Sequence, residues 1–307
     1  MPLSVTEPTS GVPGHWMRSE LYSQPDLWET AAAQARDEEF LPPPGQRVAA
    51  VGCGTSWFMA QSFAAARESA GLGETDAFAA SEAAAVANRG YDAVVAITRS
   101  GTTTEVLTLL ESLDPRIART VVLADTESPA AALAHRVIAL PYADERSVVQ
   151  TRFATSALAY LLTGLGTRLD SAVADARAVL AEPTPVELLD AEQFTFLGRG
   201  WTVGLAHEAA LKMREAVQGW TESYPAMEYR HGPIAVAAPG RVTWLIGDEP
   251  SGLRADVVSA GARFEHVPRH PLAELVRVHK VTQERAAARG LDPDRPRNLT
   301  RSVVLER

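Results

Sequence analysis

The chain has 307 residues, 46% of them hydrophobic and 22% charged, with a formal net charge of −9. That length suits two α/β domains of about 150 residues each, and no apolar run approaches the roughly 18 residues that a membrane span needs. The acidic balance, without any run of Lys or Arg, argues against a nucleic-acid partner, whose phosphate backbone is held by clustered basic groups. The single cysteine, Cys53, allows no intrachain disulfide and fits a reducing, cytoplasmic setting.

Residues 1–16, MPLSVTEPTSGVPGHW, lack the basic start and apolar follow-on of a signal peptide and are expected to form a loose tail. A helical segment at 17–38 follows, then the punctuating LPPPGQ and a short apolar strand at 47–54. From there the pattern alternates: helix 56–70, strand 91–97, helix from 103, strand 120–124, a short helix near Pro129, strand 137–140. A long apolar helical stretch over 150–180 leads into AEPTPVELLD, where two prolines mark a connection. The alternation then restarts with strand 193–198, helix 204–218, strand 241–247, helix 251–260, strand 263–267 and helix 272–288. Continuous apolar strands separated by helices predict α/β architecture with parallel sheets covered on both faces. We place a first domain at 17–182 and a second at 183–307. The similar openings VAAVGCGTSWFMA and FTFLGRGWTVGLA suggest a duplication whose second copy is shorter.

The segment AITRSGTTTEV, 96–106, sets Thr98, Ser100, Thr102, Thr103 and Thr104 around Gly101, after a strand and at a helix start. Phosphate suits such a place, because glycine lets the backbone approach, the first helical N–H groups are free and the helix dipole is positive there. Arg99 adds a potential charge-assisted contact. Ser and Thr also cap helices, but so many hydroxyls exceed what a cap uses. A second strand-to-helix turn, GCGTSWF at 52–58, offers Thr55 and Ser56. Cys53 reads as a small packed residue, since no basic partner lies beside it.

In the stretch 207–233, HEAALKMREAVQGWTESYPAMEYRHGP, Lys212 and Glu215 share a helix face and can pair. His207 and Glu208 precede them by a turn. A solvated charged face is the ordinary reading of such a helix, but the following loop adds Glu222, Tyr224, Glu228 and His231, a concentration of acid, base and hydroxyl groups that favours a site.

These motifs together resemble the two-domain sugar isomerase (SIS) family, notably the isomerase half of glucosamine-6-phosphate synthase. The resemblance rests on MRSELYSQP, GCGTS, TRSGTTTE, FLGRG, ALKMRE, the E-x-x-HGP loop and DPDRPRNLTRSVVLE, in that order from residue 17 to the end. The glutamine-hydrolysing part of the synthase has no counterpart here. The resemblance implies two SIS domains, each a parallel three-layer sandwich of flavodoxin type, and a hexosamine 6-phosphate as substrate. It implies sugar-phosphate contacts at Thr55, Ser56, Thr98, Arg99, Ser100 and Thr103, with Val148 and Gln150 lining the sugar. Glu215 corresponds to the base that moves a proton between C1 and C2, Lys212 to its neighbour, and His231 to the group that assists ring opening from the partner subunit of a homodimer. Abstraction beside a carbonyl needs a positioned carboxylate, and ring opening needs an acid–base group near neutrality. Neither step needs a metal or cofactor.

Arg301 stands where the synthase carries the lysine that forms a Schiff base, and an arginine does not form one under ordinary conditions. The family's usual glutamine and serine are replaced by Arg99 and Thr98. Two reactions start from proton removal at C2: isomerisation with loss of ammonia, which family habit favours, and elimination of the C3 hydroxyl from an N-acetylhexosamine 6-phosphate, which the missing lysine favours. A non-catalytic sugar-phosphate sensor is a third reading, with little reason to keep Glu215, Lys212 and His231 together. A dinucleotide-dependent oxidoreductase is disfavoured because GCGTS lacks G-x-G-x-x-G.

Overall fold

Valine- and alanine-rich runs with no polar alternation are stable only where both faces are covered, and such runs form the centre of each sheet. In the computed structural model, which describes residues 11–305, the order is α1 (His15–Asp37), β1 (Val48–Gly52), α2 (Thr55–Ser69), β2 (Thr75–Ala79), a 3₁₀ segment (Ala80–Asn88), β3 (Ala93–Ile97), α3 (Thr104–Ser112), β4 (Ala118–Leu123), α4 (Pro129–Ala132), β5 (Arg136–Ala139), α5 (Arg152–Gly164), α6 (Asp170–Ala181) and α7 (Val186–Asp190). The chain continues through β6 (Gln193–Gly198), α8 (Thr202–Val217), β7 (Trp220–Pro225), β8 (Arg241–Ile246), α9 (Leu253–Ser259), β9 (Arg263–Glu265) and α10 (Pro271–Ala288).

Among the described residues the strands form two parallel sheets, ordered β2-β1-β3-β4-β5 and β7-β6-β8-β9. The second repeats the order of the first with one strand fewer, as the similar openings suggested. The expected α/β architecture with two parallel sheets is present. In both sheets the chain runs outward from the first strand and then switches sides, so β1/β3 and β6/β8 flank the positions where open α/β sheets form their crevices.

Four elements differ from expectation. Strands β2 and β7 were not anticipated: both are edge strands, half-exposed or polar along one face, and carry no continuous apolar run. The helical stretch expected over 150–180 is broken into α5 and α6, with Gly166 at φ +91° in the turn between them. The expected loose tail is ordered from α1 onward, and its residues 1–10 lie outside the described residues.

Pro25 lies inside α1 and cannot donate to the Leu21 carbonyl one turn earlier, but Gln24 Nε2 donates to it instead at 3.3 Å. α1 packs on α5, α10 packs on α6 and α8, and α2 packs on α8. One apolar core therefore runs through both halves, including Trp28, Phe63, Phe153, Phe196 and Trp244. The α2–α8 contact is close because of Gly204, where a Cβ would lie 2.3 Å from the Phe58 carbonyl oxygen and from Ser62 Oγ. That approach brings the first turn of α2 against the face of α8 that carries Glu208, Lys212 and Glu215.

After α10 the chain returns to the start of α1. Asp292 accepts from the Gly14 N–H, and Asp294 accepts from those of Trp16 and Met17, at 2.8–2.9 Å. These carboxylates satisfy the free N–H groups at the start of α1 and meet the positive end of its dipole. Among the described residues no helix is long and apolar enough to cross a membrane.

Candidate active site

The loop after β3 turns sharply at Gly101, at φ +62°, where a Cβ would lie 1.9 Å from Ser128 Oγ. Only glycine fits there without moving Ser128, so the turn that aims Ser100, Thr102 and Thr103 depends on it. A small cavity of about 30 Å³ at this place is lined by Cys53, Ser56, Ile97, Thr98, Arg99, Ser100, Thr103, Val106, Gln150 and Arg301. It lies between the carboxyl ends of β1 and β3, at the switch point of the first sheet. The Oε1 atom of Gln150 is buried there without a hydrogen-bond partner.

The C-terminal segment already occupies much of this cradle. Ser302 Oγ lies 3.1 Å from Ser100 Oγ, 3.0 Å from Thr102 Oγ1 and 3.5 Å from Thr103 Oγ1. The Thr104 N–H donates to the Val303 carbonyl, and the Leu305 N–H donates to Thr104 Oγ1. A hydroxyl oxygen thus sits among the donors suited to a phosphate oxygen, and the remaining space is about that of one water molecule.

Arg99 does not extend freely into the cradle. It is 2% exposed; Nη1 donates to the Ser147 carbonyl at 3.1 Å and lies 3.7 Å from Glu145, while Nη2 donates to the Arg301 carbonyl at 2.9 Å. Burial lowers its pKa from the ordinary guanidinium value, and Glu145 opposes that shift. Arg301 donates to the Glu145 carbonyl and to Asp144 Oδ1. Val148 is half-buried, and its N–H donates to the Asp294 carbonyl.

Thr55 faces α8. Its hydroxyl accepts from Lys212 Nζ at 3.0 Å and lies 3.4 Å from Glu208 Oε1. Lys212 is fully buried and reaches Glu215 Oε2 at 2.5 Å and Glu208 Oε1 at 3.5 Å. Burial pulls the Lys212 pKa down, but the two carboxylates more than offset it, so the ammonium persists. Glu208 is pushed up to about 8 by burial, with Lys212 working in the other direction. At neutral pH Glu208 is therefore protonated beside the Lys212 ammonium. Glu215 keeps 20% of its side chain exposed and is the member of the cluster open to a ligand. Glu208 was noted in the sequence only as a neighbour; its i,i+4 spacing to Lys212 was the available signal.

His231 is exposed, just after a 3₁₀ turn, Glu228–Arg230, and its N–H donates to the Glu228 carbonyl at 2.9 Å. The fold joins two groups of the expected site: the hydroxyl cradle with Ser56, Gln150 and Arg301, and the α8 cluster with Thr55. Ser56 and Thr55 are consecutive in the first turn of α2, so the two groups adjoin.

The SIS domain family matches residues 44–164, which include the whole of the cradle loop. The chain is thus similar to SIS-domain proteins over this part. It is 27% identical, over 95% of its own length, to glutamine–fructose-6-phosphate aminotransferase (isomerizing) of Thermosynechococcus vestitus, and spans 59% of that relative. The chain thus spans little more than half the length of that curated relative. Among solved structures, glucosamine-6-phosphate deaminase from Thermotoga maritima superposes with a TM-score of 0.79 at 22% identity, covering 94% of this chain and 99% of the other. The C-terminal domain of glucosamine-fructose-6-phosphate aminotransferase from Francisella tularensis gives 0.73 at 18% identity, covering 93% and 99%. These likenesses show the fold, two parallel sheets flanked by helices.

Proposed function

We propose that this protein is an enzyme acting on a hexosamine 6-phosphate, with Glu215 as the base that removes the C2 proton and isomerisation with loss of ammonia as the outcome. The observation that carries this reading is the adjacency of the cradle and the α8 cluster across one helical turn. The cradle suits a phosphate, and beside it stands a partly exposed carboxylate paired to a buried ammonium. A sensor needs the first but not the second. Ser100, Thr103 and Ser56 would hold the phosphate after the C-terminal segment lifts Ser302 away, and Gln150 would meet the sugar. Thr55 acts through Lys212, fixing the base. The open-chain amino aldose loses its C2 proton to Glu215, and the same carboxylate returns it at C1 to give the C2 imine of the ketose; water then adds at C2 and the C2–N bond breaks, releasing ammonia and leaving the ketose carbonyl.

Elimination is the second reading, and a specific observation favours it. The chain contains two lysines, Lys212 and Lys280. Lys212 is locked between Glu208 and Glu215, and Lys280 is buried, donating to the carbonyls of Val179, Leu180 and Glu182. With Arg301 at the cradle, no lysine amine among the described residues is free to form an imine with a sugar carbonyl. Loss of the C3 hydroxyl as water from an N-acetylhexosamine 6-phosphate needs only the C2 carbanion.

Incubation with glucosamine 6-phosphate is expected to release ammonia and a ketose 6-phosphate. If the N-acetyl substrate instead develops a conjugated ultraviolet chromophore while no ammonia forms from the free amine, elimination is the reaction. Tight binding of both sugars without product would favour the sensor.

The exposed position of His231 supports its supply to a neighbouring subunit in a homodimer. An inactive Glu215→Gln chain mixed with an inactive His231→Ala chain is then expected to recover activity through hybrid dimers. No recovery after verified subunit exchange would argue for a site built within one chain.

A further inference from the structure

We propose that Glu20, on α1, is a positioning residue that sets loop 144–150 and, through it, the seat of the C-terminal segment over the cradle. The proposal rests on the reading of the cradle as the sugar-phosphate site, while its structural half can be tested without any substrate. Glu20 is 2% exposed, and its Oε1 accepts from the Arg146 N–H at 2.6 Å and the Ser147 N–H at 3.3 Å. Ser147 is the junction of the arrangement. Its carbonyl accepts from Arg99, its hydroxyl donates to the Val149 carbonyl at 2.9 Å, and that hydroxyl also lies 3.3 Å from the Pro293 carbonyl. Arg99 in turn holds the Arg301 carbonyl, one residue before the Ser302 that enters the cradle. The adjoining N–H groups of Val148 and Val149 donate to the carbonyls of Asp294 and Pro293. Both segments of the C-terminal return, 293–294 and 301–302, are therefore attached to a loop whose Arg146 and Ser147 N–H groups are held by one buried carboxylate.

The second carboxylate of the loop, Glu145, faces the other way. It accepts from the N–H groups of Thr151, Arg152 and Phe153 at the start of α5. Glu20 therefore holds the 146 and 147 N–H groups from α1. The Oε2 atom of Glu20 is buried without a partner. The charged groups around it are Glu145, Arg152 and Arg99, together with Arg146, whose guanidinium lies over the Trp16 ring. Burial, with Glu145 adding to it, pushes the Glu20 pKa up to about 7. A raised carboxyl stabilises the closed arrangement below its unfolded pKa, and this is lost as pH rises through about 7.

The test uses the intact protein and hydrogen exchange of the backbone at 144–150 and 299–305. Glu20→Ala is expected to speed exchange in both segments at least tenfold while α8 and the β6–β8 core stay protected. Glu20→Gln, which keeps the acceptor, is expected to match the parent's protection factors at pH 6 and, once rates are corrected for the intrinsic pH dependence of amide exchange, to lack the fall in protection that the parent shows at pH 8.5. With the active substrate, Glu20→Ala should change KM by tenfold or more in either direction and leave kcat within about threefold. If Glu20→Ala fails to fold, Glu20→Asp, one methylene shorter, reads the same exchange. Unchanged exchange in 299–305 overturns the proposal. Changed exchange with no turnover of any hexosamine phosphate by the parent overturns the assigned function and leaves the positioning role standing.

Discussion

Glu215→Gln is expected to lower turnover by roughly two to four orders of magnitude, the usual contribution of a general base, while KM stays near that of the parent. Glutamine keeps the length of the side chain and can still accept from Lys212 Nζ, so the α8 face should hold its shape. It has no basic oxygen with which to take a proton from C2. Exchange of solvent deuterium into C2 should disappear together with turnover, whichever product forms, because isomerisation and elimination share this step. Near-normal turnover in the variant would remove Glu215 from the role and leave Glu222 or Glu228 to be tested. Glu208 is a poor substitute, since it is fully buried and protonated at neutral pH.

The central features of this site were legible because they are local. The hydroxyls around Gly101 belong to one strand-to-helix turn, and Lys212 and Glu215 belong to one helix face, so periodicity and turn chemistry suffice to group them. What escaped the sequence is non-local or depends on burial. Ser302 meets Ser100 across 202 positions in the chain, and nothing in NLTRSVVLE announces where it docks. Arg99 reads as an exposed anion contact, but Glu145 and two carbonyls claim its guanidinium. Thr55 reads as a phosphate donor, but Gly204 lets α8 come close enough for Lys212 to take its hydroxyl. Edge strands β2 and β7 escaped because a strand covered on one side has no need of a continuous apolar run.

Lys212→Met should be the most destabilising change in the α8 cluster, and its cost should depend on pH. Methionine fills most of the space but removes the counter-charge of Glu215 and the donor to Thr55. Deleting one partner of a buried ion pair costs roughly 3–5 kcal/mol, on the order of 10 °C in Tm for a chain of this size. Glu208 adds the pH dependence. Burial already raises its folded pKa to about 8, and Lys212 is the main influence holding that value down. Without the ammonium it rises further. A carboxyl raised in the folded state gives stability below its unfolded pKa that is lost as pH climbs through the folded value. Near pH 6.5, Glu208 is protonated in both proteins and contributes nothing to their difference. Above pH 8 the parent can ionise Glu208 beside Lys212, but the variant must keep it protonated, so the gap in Tm should widen between pH 6.5 and pH 9. Adding Glu208→Gln to Lys212→Met removes the titrating group and should abolish the widening while leaving the loss at pH 6.5. A gap of equal size at both pH values would mean that Glu208 is ionised throughout, and that the cluster holds two carboxylates against one ammonium.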